Sequence, residues 1–517
     1  MSGEATSLRV PLPRYPGMNS FVLDWLSGAE RATQFLPRQA WRDAPAPPRP
    51  RNVPADLITA LVESNRRWGS FVREDVERWA RGEGVAIVAG QQVGFAGGPL
   101  YTLAKLASVM RMKRDFQSRG VPVTLFFWLA TEDHDYEEAA TLQVPVSAVS
   151  ANRNDINRQL DLVTIKGTRG VSSKQMVGPT VIPESLVAQL LALFEMPRPS
   201  WLREGITFRD SFAELLASAA GERVVFVDAM LPELRRAGAP LFAQMLGGCG
   251  SMQEAIAARS RELQSAGFAP QIVPRDGDRY TLLFRIDASG ERHIIDDAAA
   301  VDDPTTISTA AITRPLLQDV VIQPDIFVGG PAEVAYYAQI TPLYEILGAH
   351  LPAVALRGHA LVAPKRVVRL LSRYGIDPSA VFASPDDILA EREPAGVAEV
   401  ESLAKAARRD LAAQMTKIGE IALPAEHALA RSLSRSMGHI EYHFGKFAER
   451  AVRGLVRKDR ERYAAMREVV STFFPDRHVQ DRVVSWFAYW NRFGEHLVGT
   501  LVDQIEPDSD GFKIVGL

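Results

Sequence analysis

The feature of this sequence that most constrains its fold is a series of short apolar runs, each ended by a turn and followed by a helical pattern. The runs lie at residues 85–89, 121–130, 224–227, 326–328 and 352–356. Short runs that are apolar throughout are typical of strands buried on both faces of a parallel sheet. Because they alternate with helices, they predict an α/β fold with a mainly parallel sheet.

The segments around these runs differ in character. Residues 43–54 are rich in proline and predict an extended linker, followed by a helix over about 55–81. The stretches at about 140–220 and 280–300 interrupt the alternation of strands and helices. They predict inserted irregular and hairpin structure, with a turn at Ala288-Ser289-Gly290 in the second stretch.

Beyond about residue 385 the strand patterns stop. Apolar residues at spacings of three and four predict two antiparallel helices on either side of Pro424, forming a coiled-coil hairpin. A further amphipathic helix, rich in aromatic residues, is predicted over 479–505. We therefore expect a core domain over residues 1–384 and a helical coiled-coil domain over 385–517.

Composition narrows the class of protein. A formal net charge of −3 over 517 residues gives no reason to expect nucleic acid or an anionic membrane as a partner. The single cysteine, Cys249, excludes a disulfide within the chain, and His439 and His443 lack a metal-binding motif. The N-terminus lacks a signal-peptide pattern, and no apolar run approaches the roughly 20 residues that span a bilayer. We expect a cytoplasmic protein without a metal site.

The first turn rich in candidate functional residues follows the run at 85–89. It contains Gln91 and Gln92, then Gly97 and Gly98, and it leads into a helix that begins near Pro99. Free backbone N–H groups at such a helix start favour a phosphate or carboxylate. The turn matches neither G-x-x-x-x-G-K-[ST] nor G-x-G-x-x-G, so the standard nucleotide fingerprints are absent. A connecting turn without a binding role is the alternative.

The second turn ends the most apolar run. Trp128 is followed by Glu132, Asp133, His134 and Asp135, four consecutive ionisable residues that are expensive to bury without partners. Their chemistry fits a general base or a site for a substrate amine, with His134 titrating near neutrality. A divalent metal is less favoured, because consecutive residues rarely all face one ion. The structural alternative is capping of the next helix by Asp133 or Asp135.

The third turn follows the run at 326–328. It contains Gly329-Gly330-Pro331 and Glu333, and Pro331 and Glu333 suit the first turn of a helix. Gly-Gly-Pro also occurs at 97–99, which suggests that two helix N-termini converge on one anionic ligand. Arg314, before this run, and Arg357, after the next one, suit bidentate binding of a carboxylate. A surface salt bridge is the alternative for each arginine.

Four blocks together resemble one family, the cysteine ligases BshC of bacillithiol biosynthesis. They lie at 88–105, 121–135, 314–336 and 475–483, and they carry Gln-Gln, Glu-Asp-His-Asp and Gly-Gly-Pro-x-Glu in the family's order. The chain departs from the family pattern at Ala89, where threonine is common. The resemblance implies a Rossmann-like core with insertions, related to class I aminoacyl-tRNA synthetases, and a C-terminal α-helical coiled coil.

The resemblance also implies the reaction, in which L-cysteine and glucosaminyl malate are joined by an amide bond. Glu132, Asp133, His134 and Asp135 would then orient or deprotonate the amine. Arg314 and Arg357 would clamp a carboxylate. The other expected substrate-binding residues are Gln91, Gln92, Gly97, Gly98, Tyr101, Thr102, Trp128, Gly329, Gly330, Glu333 and Tyr336.

Amide formation in water needs an activated carboxyl group, so ATP or another nucleotide is expected, although no motif identifies one. The coiled coil suggests a homodimer contact. Two other functions fit the same residues. One is a nucleotidyltransferase that activates a different small carboxylic acid, and the other is a non-catalytic assembly protein that uses the coiled coil.

Overall fold

The computed structural model divides into two compact units. The core unit comprises Met1–Ala363 with His478–Leu517, and the helical unit comprises Pro364–Arg477. Among the described residues, no helix is both long and apolar enough to cross a bilayer. The residues described are 8–43, 51–145, 162–168, 175–221, 223–274, 279–295, 303–384, 387, 396–422, 429–457 and 460–517.

The strands are numbered in chain order. They are β1 (Arg9–Pro11), β2 (Val85–Gln92), β3 (Val123–Ala130), β4 (Thr141–Pro145), β5 (Leu162–Lys166), β6 (Val225–Asp228), β7 (Leu283–Ile286), β8 (Arg292–Ile295), β9 (Ile307–Thr309), β10 (Ile326–Gly329), β11 (Ala353–Leu356), β12 (His359–Ala363) and β13 (Gly511–Gly516).

The α-helices are numbered in the same way. They are α1 (Ser20–Ser27), α2 (Glu30–Thr33), α3 (Ala55–Arg67), α4 (Arg73–Ala80), α5 (Leu100–Gln117), α6 (Tyr136–Ala139), α7 (Glu184–Phe194), α8 (Phe208–Ala220), α9 (Pro232–Ala237), α10 (Ala239–Gly247), α11 (Cys249–Ser265), α12 (Arg314–Ile322), α13 (Pro331–Leu347), α14 (Lys365–Tyr374), α15 (Val397–Ala422), α16 (Leu429–Arg457), α17 (Arg460–Phe473), α18 (Gln480–Val483), α19 (Phe487–Phe493) and α20 (Glu495–Gln504).

A five-stranded parallel sheet forms the centre of the core unit, in the order β11-β10-β2-β3-β6. This confirms the parallel α/β sheet that the apolar runs predict. The chain passes from β2 outward through β3 to β6, and later fills the other side with β10 and β11. The order therefore reverses between β2 and β10. In open α/β sheets, ligands bind at such a switch point, outside the carboxyl ends of the strands.

Helix α5 follows β2 and is almost entirely buried. One part of its surface packs on β2 and β3, and another contacts α20 near the C-terminus. Because neighbours cover α5 on several sides, most of its side chains contact protein rather than solvent. This explains why most residues in the first part of α5 are apolar. Any charged side chain on it must find a partner inside the protein.

The segments before β2 differ from the prediction in detail. The single helix predicted over 55–81 is broken into α3 and α4, because Gly69 adopts a left-handed conformation at φ +83°. Residues 44–50 of the predicted linker lie outside the described residues. Arg51 at its end is buried, and its Nη2 donates to Asp325 Oδ2 at 2.9 Å.

The two predicted insertions have different outcomes. In the second, β7 and β8 pair antiparallel around the predicted turn, which confirms the hairpin, and β9 adds a third strand. In the first, β4 and β5 form an antiparallel pair. The rest of that stretch is more regular than predicted, because it contains the helices α7 and α8.

The single amphipathic helix predicted over 479–505 is not formed as one element. The backbone turns extended at Val484, where Ser485 N bonds to Gln143 O at 2.8 Å, and Gly494 adopts φ +53°. Three short helices, α18 to α20, result. Strand β13 then inserts between β1 and β12, and His478–Leu517 packs as part of the core unit.

The helical unit contains two long helices, α15 and α16, that pack side by side as the coiled-coil pattern predicts. Pro424, predicted to lie between them, is outside the described residues. Close packing is possible at Gly445, where an added Cβ would lie 2.6 Å from Nη2 of Arg408. The large apolar side chains of Leu403, Ile418 and Phe447 stay exposed on this unit.

Candidate functional site

Lys105 lies at the centre of the switch point. Its Nζ donates to Gly90 O at 2.7 Å and to Gln91 Oε1 at 2.9 Å, and it also contacts the carboxylate of Glu333. Glu333 Oε2 in turn accepts from Gly330 N at 2.8 Å. Burial lowers the pKa of the lysine ammonium, although Glu333 opposes the shift. Lys105 therefore links the carboxyl end of β2 to the start of α13.

Arg314 adds a second positive charge to Glu333. Its Nη2 donates to the Tyr336 hydroxyl at 2.6 Å and lies 3.8 Å from Glu333 Oε1. Burial alone would raise the pKa of the Glu333 carboxyl, but Lys105 and Arg314 lower it below the ordinary value. The carboxylate is thus held as an anion between two cations.

Arg357 approaches the same region from the end of β11. It is buried, and its Nη2 donates to Asp481 Oδ2 at 2.8 Å. Its guanidinium carbon lies 5.9 Å from the centre of the Tyr101 ring. The Tyr101 hydroxyl accepts from Gln91 Nε2 at 3.3 Å, so Tyr101 bridges the glutamine and the arginine. The predicted carboxylate clamp therefore lies next to the predicted glutamine site.

Glu132 stands apart from its three neighbours in sequence. Its carboxylate is buried, pairs with Arg235, and accepts from Ser308 Oγ at 2.9 Å and Thr309 Oγ1 at 2.8 Å. Burial would raise the pKa of this carboxyl, yet Arg235 and Arg292 bring it below the ordinary value. The contacts tie the end of β3 to β9, which gives Glu132 an anchoring position.

Asp133, His134 and Asp135 line a turn that is open to solvent. Asp133 Oδ1 accepts from His134 N at 2.6 Å and lies 3.6 Å from His134 Nδ1. Asp135 caps α6 by accepting from Glu138 N at 3.0 Å, as the structural alternative proposed. Burial, then Asp135 and Asp133, raise the pKa of Glu138. We call Asp133, Asp135 and Glu138 the acidic rim.

The turn at Gly97 and Gly98 is covered by the C-terminal segment. Trp486 Nε1 donates to Gly97 O at 2.8 Å, and a Cβ at Gly97 would lie 2.5 Å from the indole ring. The N–H of Leu100 donates to Val484 O at 2.8 Å. The structure therefore gives this turn a packing role, in contrast to the expected anion site at two converging helix starts.

The predicted site residues thus fall into three groups, one of which is the solvent-open turn of Asp133, His134 and Asp135. The structure brings together Gln91, Tyr101, Arg314, Gly330, Glu333, Tyr336 and Arg357 at the switch point. Gln92 ends β2, half-buried beside them. The others are packed in the interior: Gly97, Gly98, Thr102, Trp128, Gly329 and Glu132.

Sequence reasoning missed Lys105 and Asp481. Lys105 was visible as the one charged residue among the mainly apolar residues 100–110 of α5, a pattern that indicates a buried, paired side chain. Asp481 lies in the block at 475–483 but was placed in the coiled-coil domain, far from the sheet. Only the tertiary path of the C-terminal segment brings it to Arg357.

One backbone N–H at each of the two glycine turns is already bonded within the protein. Leu100 N at the first is bonded to Val484 O, and Gly330 N at the second is bonded to Glu333. Asp287, Glu291 and His293 lie close enough together for a metal ion, but on the β7–β8 hairpin. Oδ1 of Asp287 already accepts from three groups of that turn, which is sufficient to explain this arrangement.

Comparison with known proteins places both parts of the chain in one family. Residues 13–358 match the family model "Bacillithiol biosynthesis BshC, N-terminal Rossmann-like domain". Residues 360–517 match the model "Bacillithiol biosynthesis BshC, C-terminal coiled-coil domain".

Relatives from several bacteria carry the name "Putative cysteine ligase BshC". The one from Koribacter versatilis is 28% identical over 96% of this chain and 97% of its own length. Those from Solibacter usitatus and Salinibacter ruber are 27% and 25% identical, over 89% and 99% of both chains. The two family models together cover nearly the whole sequence, and the chain therefore belongs to the BshC family of bacillithiol biosynthesis.

Proposed function

We propose that this protein is a ligase of bacillithiol biosynthesis that joins L-cysteine to glucosaminyl malate. The bond formed is an amide between the cysteine carboxyl carbon and the sugar amine nitrogen, and the bond broken joins that carbon to a carboxyl oxygen, which would leave with the activating group. The observation that carries the proposal is the arrangement at the switch point, where the guanidinium carbon of Arg357 lies 5.9 Å from the centre of the Tyr101 ring and the acidic rim follows the neighbouring strand β3. These cationic and acidic side chains suit a carboxylate and an amine, respectively.

The acidic rim would receive the amine. Asp133 and Asp135 are half-exposed and exposed at the carboxyl end of β3, and a substrate ammonium pairs well with such carboxylates. The nitrogen must lose a proton as the amide forms. His134, whose Nδ1 lies 3.6 Å from Asp133 Oδ1, carries an imidazole that is placed to take it. Glu132 would act indirectly, because its bonds to β9 fix the turn that carries these groups.

The linked residues at the switch point would hold the other partner. Lys105 and Glu333 fix Gln91, whose amide bonds to Tyr101 beside Arg357. A preorganised amide, phenol and guanidinium suit a small polar ligand with a carboxylate. Holding two substrates in reactive orientation contributes several kcal/mol to lowering the barrier, by about 7–11 kcal/mol in the best cases.

We also propose that the protein forms a homodimer through its helical unit. The exposed apolar side chains of Leu403, Ile418, Ile421 and Phe447 are large for a free coiled-coil surface. Light scattering on the purified protein tests this directly. A monomer at all protein concentrations would contradict it.

The reaction is tested by product formation. Purified protein is incubated with L-cysteine, glucosaminyl malate and ATP, and bacillithiol is measured by mass spectrometry. The cysteine carboxyl needs an activating group, so other nucleoside triphosphates are tried in parallel. The Arg492→Gln variant, which changes an exposed arginine of α19, serves as a control and should retain activity.

Two results would replace the proposal. Exchange of pyrophosphate into ATP that depends on another acid and not on cysteine would indicate a nucleotidyltransferase. Absence of product with every nucleotide, together with partner binding that survives His134→Ala, would indicate an assembly protein.

A further inference from the structure

We infer that Arg482 and Arg357 form a two-arginine site for the paired carboxylates of the malyl group, with Asp481 and Tyr15 as positioning residues. The inference rests on the proposed function and adds to it residues that were assigned no role. It also makes the two ends of the chain part of the substrate cleft, since Tyr15 lies near one terminus and Asp481 near the other.

Asp481 and Tyr15 connect the two arginines. Asp481 is fully buried, and its Oδ2 accepts from Arg357 Nη2 at 2.8 Å. Its Oδ1 accepts from the Tyr15 hydroxyl at 3.4 Å, and that hydroxyl accepts from Arg482 Nε at 2.6 Å. A continuous chain of hydrogen bonds therefore runs from Arg357 through Asp481 and Tyr15 to Arg482.

The tyrosine in this chain is held rigidly. Its ring stacks on Phe512 of β13, with ring centres 4.9 Å apart and planes 10° apart. The guanidinium carbon of Arg482 lies 5.8 Å from the centre of the Tyr15 ring. Arg482 is nevertheless exposed to solvent, whereas Arg357 and Asp481 are buried. A preorganised arginine with an accessible fork is well suited to bind a carboxylate.

The charges around the two arginines do not balance. Asp481 supplies one negative charge against two guanidinium groups. The neighbouring His359 adds no charge near neutral pH, because burial, then Arg357 and Arg482, hold its pKa well below the ordinary value. One positive charge remains for a ligand, and a carboxylate is the complementary group.

Tyr101 relates this site to the acidic rim. Burial raises the pKa of its hydroxyl most, Glu138 and Glu333 raise it further, and Arg357 and Arg482 oppose them. The ring of Tyr101 lies 5.9 Å from the guanidinium carbon of Arg357, and its hydroxyl is influenced by a rim carboxylate as well as by both arginines. A substrate with an amine at one end and two carboxylates at the other fits this polarity in one orientation, with the amine at the rim.

Binding of glucosaminyl malate alone tests the inference. Isothermal titration calorimetry on the full-length protein, without cysteine or nucleotide, compares Arg482→Gln with Arg492→Gln as the matched control. We expect R482Q to raise the dissociation constant about tenfold, as for loss of a charge-assisted hydrogen bond, and R492Q to leave it unchanged. The KM for cysteine should not change in either variant.

A ligand without carboxylates provides the second comparison. Methyl glucosaminide keeps the amine and the sugar, so its binding should be the same in R482Q and in the wild type. Should R482Q fail to fold, Arg482→Lys and Tyr15→Phe replace it. Arg482→Lys keeps the positive charge but loses the planar fork, and Tyr15→Phe keeps Arg482 but removes the hydroxyl that positions it. Each variant should weaken binding of glucosaminyl malate several-fold.

The possible binding results distinguish failure of the two-arginine site from failure of the proposed function. Equal binding of glucosaminyl malate by wild type, R482Q or its replacements overturns the two-arginine site, as does equal weakening in R482Q and R492Q. A wild-type protein that binds no glucosaminyl malate overturns the proposed function itself. A loss confined to the malate compound in R482Q supports the inference.

Discussion

The ammonium of Lys105 on α5 contacts the carboxylate of Glu333 on α13 at the carboxyl ends of the paired strands β2 and β10. Lys105 is buried, and Glu333 is mostly so, with 18% of its side chain exposed. Lys105 also donates to Gln91, and Glu333 also accepts from Gly330. The ion pair therefore connects residues at the ends of both strands of the switch point. Removing one partner leaves the other charge without its main compensation, which is more damaging than removing both.

Replacing Lys105 by methionine should therefore destabilise the core unit strongly. We expect Lys105→Met to lower the free energy of unfolding by about 3–5 kcal/mol, the range for breaking a buried ion pair. Urea unfolding followed by tryptophan fluorescence measures it. The control is Lys446→Met, whose exposed ammonium pairs with Glu449 and should change stability by less than about 1 kcal/mol. Equal losses in the two variants would contradict the assignment.

The carboxylates of the Glu-Asp-His-Asp turn should separate into two kinds. Glu132→Gln removes the charge opposite Arg235 and should cost about 3–5 kcal/mol of stability. Asp133→Asn, on the exposed turn, should leave stability within about 0.5 kcal/mol while lowering kcat for the ligase reaction. Parallel unfolding and rate measurements test this. A D133N variant with full activity, or an E132Q variant of unchanged stability, would refute the division of roles.

The sequence predicts the parallel sheet well, because apolar residues on both faces of a strand leave few alternatives. It predicts the individual site residues less well. Glu132 and Asp133 are adjacent in the chain but point into different environments, and one-dimensional spacing does not reveal this. The aromatic periodicity around Asp481 predicts one continuous helix. That pattern does not indicate that the Asp481 carboxylate reaches Arg357. The interruption depends on a backbone bond from Ser485 to Gln143, which no local pattern encodes.

The glycine turn that Trp486 covers should not accommodate a larger side chain at Gly97. Gly97 and Gly98 both have positive φ, at +83° and +73°, so alanine strains the backbone at either position. Only at Gly97 would the Cβ also collide with the Trp486 ring; at Gly98 it would lie 3.5 Å from Thr102 Oγ1. We expect Gly97→Ala to cost about 1–3 kcal/mol more than Gly98→Ala, the usual range for overpacking.

Unfolding of the two alanine variants gives this difference. Trp486→Leu in the Gly97→Ala background should recover part of it, since the smaller side chain frees the space. Equal stability of the two single variants would show that the indole does not confine the turn.

His359 should make the core unit sensitive to acid. It packs beside the stacked rings of Tyr15 and Phe512, both of its ring nitrogens lack a hydrogen-bond partner among the described residues, and its pKa is well below 6.5. Below pH 6.5 the unfolded state binds a proton that the folded state does not, so stability falls as the pH falls. By pH 5 this loss reaches about 2 kcal/mol.

His359→Phe removes the titrating group and keeps an aromatic ring beside the rings of Tyr15 and Phe512. Its absolute stability is not the readout, because the larger ring changes packing. The readout is the difference in unfolding free energy between pH 7.5 and pH 5, which should shrink by about 2 kcal/mol relative to the wild type. His496→Phe, at an exposed histidine of α20, should leave that difference nearly unchanged. If H359F and H496F show the same pH dependence, His359 is not the acid-sensitive group.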